Sequence, residues 1–144
     1  MYNYIKLKMS AYIQTNQTIQ LPDSDYTVSS VDTAKIFLIS AVTALKTVTL
    51  PTPSVVNTGL HYIFINRAPI LGGAGNNVRI LGGGVGLMRG SVIAAGTLGT
   101  VAGQYGLNFV GNTSARGDKC EFYCDGIGWS TLSNSSVVAG ITAN

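Results

Sequence analysis

Charge is what this 144-residue chain has least of. Only 10% of its residues are Asp, Glu, Lys or Arg, against about 25% in an ordinary soluble domain, and Glu121 is its single glutamate. Exposed helix faces are normally built from Glu, Lys, Arg and Gln, so the chain has little material for amphipathic helices. Long apolar runs are missing too: the longest are about four residues, as in Ile36–Ile39, where a membrane-spanning helix needs about 20. No membrane span is expected. No apolar stretch follows Lys6 and Lys8, so a secretory leader is not expected either, and synthesis in a cytoplasm is the default.

The residues of catalysis and metal binding are equally scarce. His61 is the only histidine and sits inside the apolar stretch Leu60–Ile65, with no acid or nucleophile in a recognisable place beside it. A structural zinc site wants about four Cys or His ligands in close pairs; the chain has one histidine and two cysteines in all. Cys120 and Cys124, four apart in an expected strand, stand about 13 Å apart at 3.3 Å per residue, too far to bridge. They read as buried thiols on the strand face of Phe122. Gly84-Val85-Gly86-Leu87-Met88-Arg89 puts Arg where a dinucleotide fingerprint needs Gly, and no Gly-Lys-Ser/Thr follows for a P-loop. No catalytic residue, cofactor or metal is expected. The net charge of +3 comes from nine scattered basic residues, without the clustered stripe of a nucleic-acid footprint.

What is present is hydrophobic, small and β-prone. Hydrophobic residues make up 46% of the chain, and its polarity comes from 14 Thr, 12 Ser and 10 Asn beside 18 Gly. The expected fold is a single all-β domain, an antiparallel β-sandwich of jelly-roll type or a β-barrel, with Gly-rich hairpins. Residues 1–20 read as an extended arm, in which Tyr2, Tyr4, Leu7 and Met9 are spaced by Asn and Lys; such arms either pack on a neighbouring subunit or stay disordered. Residues 21–133 form the domain and 134–144 a small polar tail.

Within the domain, strands are expected at about 34–40 and 45–50, the second stopped by Pro51. A helical period over Thr33–Leu50 competes with this reading, but Thr43, Thr47, Val48 and Thr49 are β-branched. Leu60–Asn66 alternates as a central strand. Ile70-Leu71-Gly72-Gly73 recurs as Ile80-Leu81-Gly82-Gly83, a spacing that suits successive hairpins. Twelve of the 18 glycines fall in residues 67–106; they are expected to make turns and close backbone contacts at a symmetry axis. Lys119–Cys124 and Trp129–Leu132 flank an Asp125-Gly126 turn, a hairpin signal. Arg116-Gly117-Asp118 spells the integrin-recognition tripeptide but reads first as a turn entering a strand.

Three segments in order carry a resemblance: Tyr26–Leu50, Gly59–Ile65 after a Pro-bearing loop, and Gly117–Gly126 leading to Trp129. Over residues 26–132 this series resembles small virion surface proteins of double-stranded DNA viruses and phages: capsid fibre, spike, and decoration or cement proteins. The resemblance implies a non-enzymatic homotrimer on the capsid surface of a virion, made in the host cytoplasm. It would bind the major capsid protein or other virion proteins, with Gly-rich surfaces meeting at a three-fold axis. Tyr2, Tyr4, Leu7, Gly82, Gly83, Gly84 and Trp129 are the candidate interface residues. A receptor- or glycan-binding tip is the alternative, with Trp129, Tyr123 and Tyr105 as aromatic platforms.

Overall fold

A computed structural model of the chain describes residues 17–84 and 88–144. It is all-β. Among the described residues twelve strands form two sheets: β1 (Thr18–Gln20), β2 (Tyr26–Thr27), β3 (Ile36–Ile39), β4 (Lys46–Thr49), β5 (His61–Asn66), β6 (Val78–Leu81), β7 (Met88–Ala94), β8 (Thr97–Gln104), β9 (Gly106–Phe109), β10 (Lys119–Cys124), β11 (Trp129–Ser135) and β12 (Ile141–Ala143). The larger sheet has the order β1-β3-β5-β10-β11-β7-β8 and the smaller β12-β9-β6-β4-β2. Both are mixed rather than purely antiparallel.

The mixture follows from the connections. From β1 to β6 the chain changes sheet at every step, so successive strands face each other across the core and sheet neighbours run parallel: β1 with β3, β3 with β5, β2 with β4, β4 with β6. None of these links carries a two-residue reversal. Pro22 follows β1, and Pro51 and Pro53 follow β4, holding the backbone extended so that it crosses to the other sheet instead of turning back. The Ile-Leu-Gly-Gly repeat accordingly makes no pair of hairpins: Ile70 bridges Ala115, Gly72 bridges Val42, and only the second copy enters a strand of the sheets, β6. Hairpins occur where tight-turn chemistry exists. Ala95 and Gly96, both at positive φ (47° and 81°), join β7 to β8, as a type I′ turn requires. Between β10 and β11, the Asp125 carboxylate accepts from the Ile127 and Gly128 amides.

The core lies between the sheets. From the larger sheet come Phe37, Tyr62, Phe64, Phe122 and Trp129; from the smaller come Val48, Ile80, Leu107, Phe109 and Ile141, all buried. Phe37 stacks on Phe64 at 4.8 Å between centroids, and Phe64 meets Phe122 edge-on at 5.7 Å. Leu60–Asn66 alternates in a central strand with Tyr62, Phe64 and Asn66 facing inward, but where its two apolar faces suggested burial on both sides, the His61, Ile63 and Ile65 side is only half-buried. No polar tail hangs from residue 134. β11 runs on to Ser135 and pairs in parallel with β7 to its end, while β12 pairs with β9; part of the segment's polarity is buried, at Ser135.

Candidate functional site

Strand register decides what the outer face of the larger sheet displays. One cross-strand row reads Leu38, Ile65, Lys119, Asn134, Ile93, Leu98, and the next reads Ile36, Ile63, Glu121, Leu132, Ser91, Thr100. Seven of these twelve are Leu or Ile, on the side turned away from the core. Ile36, Leu38, Ile63, Ile65 and Ile93 are half-buried, Leu132 is 50% exposed and Leu98 69% exposed. A solvated sheet face is normally polar at alternate positions. This one is aliphatic at seven of the twelve positions, on both sides of Lys119 and Glu121.

A small charged island sits in the middle of it. The Glu121 carboxylate accepts from Lys119 Nζ at 2.8 Å and from the Tyr123 hydroxyl at 3.0 Å. The Lys119 bond, aided by Tyr123, holds the Glu121 pKa below the usual carboxylate range against the opposing effect of burial. Tyr123 is raised, first because its hydroxyl donates to Glu121. His61 stacks flat on the Tyr123 ring, 4.2 Å between centroids and 5° between planes. Its Nε2 stands 3.9 Å from Glu121, too far for a hydrogen bond, and is buried without a partner. Burial lowers the His61 pKa, and Glu121 partly offsets this.

Trp129, expected at an interface, belongs to the core. It is 1% exposed and donates from Nε1 to the Pro51 carbonyl at 3.3 Å. Gly82 is buried beneath it, so close that a Cβ there would stand 3.2 Å from the indole. Gly83, at φ 72°, lies against the backbone of Leu50 and Thr52; Gly84 alone of the three is exposed. The close glycine contacts expected at a symmetry axis are thus made inside one chain. Tyr2, Tyr4 and Leu7 lie outside the described residues. Tyr105 and Tyr123 are exposed at 53% and 45%. As the only tryptophan, Trp129 gives a direct check: native emission should be blue-shifted and resist acrylamide quenching. Trp129→Phe should cost about 1–2 kcal/mol, from the lost bond and the smaller ring, read as a shift in urea midpoint.

Cys120 and Cys124 are both buried and unpaired. Burial pushes the Cys120 thiol up to about 12, and burial also raises the Tyr62 phenol to about 12. Each must stay protonated in the folded chain while the unfolded chain ionises near its ordinary value. Their contribution is therefore complete below pH 9 and is lost as pH rises from about 9 to 12. Urea midpoints should decline over that window, and less steeply in Cys120→Ala once its own lower starting stability is subtracted.

The tripeptide Arg116-Gly117-Asp118 is not displayed. Asp118 is 1% exposed; its carboxylate accepts from Ser114 Oγ, the Ala115 amide and Ser135 Oγ on one oxygen, and from the Ser136 amide and hydroxyl on the other. Asn66 completes the cluster, donating to Ser114 Oγ and to the Ser114 and Ala115 carbonyls. This buried polar knot ties the 113–118 loop to the ends of β5 and β11. Among the described residues no group of three or more His, Cys, Asp and Glu side chains is placed to hold a metal, and no helix is long and apolar enough to cross a membrane.

No family model, no curated protein and no solved structure matches the chain.

Proposed function

We propose that the chain is a structural protein of a virion, a homotrimeric decoration, cement or head-fibre protein that works through surfaces and carries out no catalysis. The observation that carries this reading is the aliphatic outer face of the seven-stranded sheet. A 144-residue domain that already has a full aromatic core leaves Ile36, Leu38, Ile63, Ile65, Leu132 and Leu98 on the opposite side of the same strands. The charge-free stretch Gly90–Ala115, without one Asp, Glu, Lys, Arg or His, supports it further, since nothing there opposes close packing with a neighbour. Burying such a face against copies of itself or a capsid removes it from water at about 25 cal/mol per Å² of apolar area, and a closed ring would do so on every copy.

The capsid assignment rests on the resemblance of the strand and turn series over residues 26–132. Location at the capsid surface, synthesis in the host cytoplasm and contact with the major capsid protein follow from it. The test has two parts. Native mass measurement of the purified chain should give a trimer, and the chain should co-sediment with capsids lacking it. A monomer at all concentrations that leaves capsids bare would overturn the proposal. The second reading, a receptor- or glycan-binding tip, is favoured by the exposed Tyr105 and Tyr123 rings, aromatic platforms of the kind that stack on sugars; binding on a glycan array that is lost in Tyr105→Ala and Tyr123→Ala would select it.

A further inference from the structure

The two sheets do not match in width. Seven strands face five, and the shortfall falls at one end, where β7 and β8 overhang the three-residue edge strand β12. Between them opens a cleft of about 350 Å³, floored by Val92, Ala94, Gly99 and Val101 and walled by Ile141 and Ala143. Ala143 points inward like Ile141 yet is exposed, because among the described residues no further strand of the smaller sheet covers it.

Among the described residues the backbone at this edge is unpartnered as well. Asn144 exchanges bonds with Gly106, and the Val110 amide donates to the Gly140 carbonyl. This register places Thr142 opposite Asn108 in the bonded position and turns the amides and carbonyls of Ile141 and Ala143 toward the free side. Such a row of free groups is a template for another strand. A strand added there would extend the smaller sheet and cover the overhang with its alternate side chains.

The chain contains one segment with that pattern and no place in the described sheets. In Tyr4-Ile5-Lys6-Leu7-Lys8-Met9, alternate positions give Ile5, Leu7 and Met9 on one side and Tyr4, Lys6 and Lys8 on the other, the signature of a half-buried strand. Lysines on the exposed side would also protect the new edge from further pairing. The distances favour a neighbour's segment over the chain's own. The arm joins the fold at Gln17, beside β1 at the far edge of the larger sheet. Six strand spacings of about 4.8 Å separate β1 from β8, about 29 Å, before the path rounds an edge to reach β12. The eight residues from Met9 to Gln17 extend at most about 26–29 Å.

We infer that residues Tyr4–Met9 of one copy add as a strand to the free edge of β12 of a second copy, filling the cleft over β7 and β8. The inference deepens the self-assembly part of the reading above and depends on it. Head-to-tail exchange of this kind closes into a ring when the rotation per step allows. The test mixes two full-length variants, one carrying Leu7→Cys and the other Ala143→Cys; the native thiols are buried and do not interfere. Mild oxidation should join the two variants into a two-chain product, and deletion of residues 2–9 should weaken self-association at least tenfold while the far-ultraviolet circular dichroism of the sandwich is kept. Absence of the mixed product, or a bond formed only within a chain carrying both substitutions, would overturn the inference. If the deleted chain assembles as tightly as the intact one, arm exchange fails while self-assembly stands. If the intact chain never assembles, the reading above fails and takes this inference with it.

Discussion

Replacing Asp118 with alanine is expected to destabilise the protein by about 3–5 kcal/mol, the scale on which loss of a buried hydrogen-bond network falls. On a chain of this length that corresponds to a fall of about 10–20 °C in the thermal midpoint. The reason is the number of donors left behind. Asp118 accepts five hydrogen bonds, and those from Ser114 Oγ, the Ala115 amide and Ser135 Oγ converge on a single carboxylate oxygen. Each donor orphaned away from water costs about 1–3 kcal/mol, less what relaxation and entering solvent recover. Asp118→Asn separates charge from shape: it keeps one acceptor oxygen but turns an NH₂ toward at least two donors, so it should recover only part of the loss. Melts followed by circular dichroism decide this. A shift under 3 °C for Asp118→Ala would mean that the knot contributes little and that the 113–118 loop is held by its backbone bonds alone.

That knot shows where sequence reading stops. Asp118 and Asn66 stand 52 positions apart, and nothing in either neighbourhood announces that Ser114, Ser135 and Ser136 converge on them. Short polar residues in a chain rich in Ser and Asn look like turn material. The signal available was Asn66 itself, at the inward position of the Leu60/Tyr62/Phe64 alternation, where a polar side chain needs partners. Trp129 was misplaced for a related reason: a lone tryptophan beginning a short strand suits a platform as well as a core, and the Pro51 carbonyl that satisfies it is 78 residues away.

Strands with strong alternation were legible. Lys119–Cys124 lies where its pattern puts it, and the Pro51 stop ends β4 one residue early, at Thr49. The mixed topology was harder, because parallel pairing is set by which links fail to reverse, and a missing turn signal is weaker than a present one. β8 and β12 were the least legible: Thr-Leu-Gly-Thr-Val-Ala-Gly-Gln and Ile-Thr-Ala carry few large side chains, since each lies at a sheet edge where little apolar area is buried. The candidate face was not legible: the interface residues expected from the sequence lie elsewhere, because which side of each alternating strand turns outward depends on long-range register.

Glycine, the most abundant residue type of the central segment, supplies the second large effect. Gly90→Ala is expected to abolish folding or leave insoluble chain, whereas Gly99→Ala, in the partner strand of the same hairpin, should be neutral or stabilising by up to about 1 kcal/mol. Gly90 sits at φ 143° in β7, pressed against β11, and a Cβ there would fall on the Thr131 carbonyl and within 2.9 Å of its amide nitrogen. Those atoms belong to the parallel β7–β11 pairing, where Gly90 stands opposite Thr131, so relief requires the central sheet to part. At Gly99 the nearest atom to a new Cβ is the Val92 carbonyl oxygen at 3.5 Å, an ordinary contact, and alanine loses less backbone entropy on folding than glycine. Sequence alone gives the two glycines the same standing, each a single glycine in a Gly-rich run. Soluble yield and thermal midpoint of the two variants, expressed side by side, measure the difference. If Gly90→Ala folds with a midpoint within a few degrees of the parent, then β7 and β11 do not approach as closely as described, and the parallel pairing that joins the β7–β8 overhang to the rest of the sheet must be redrawn.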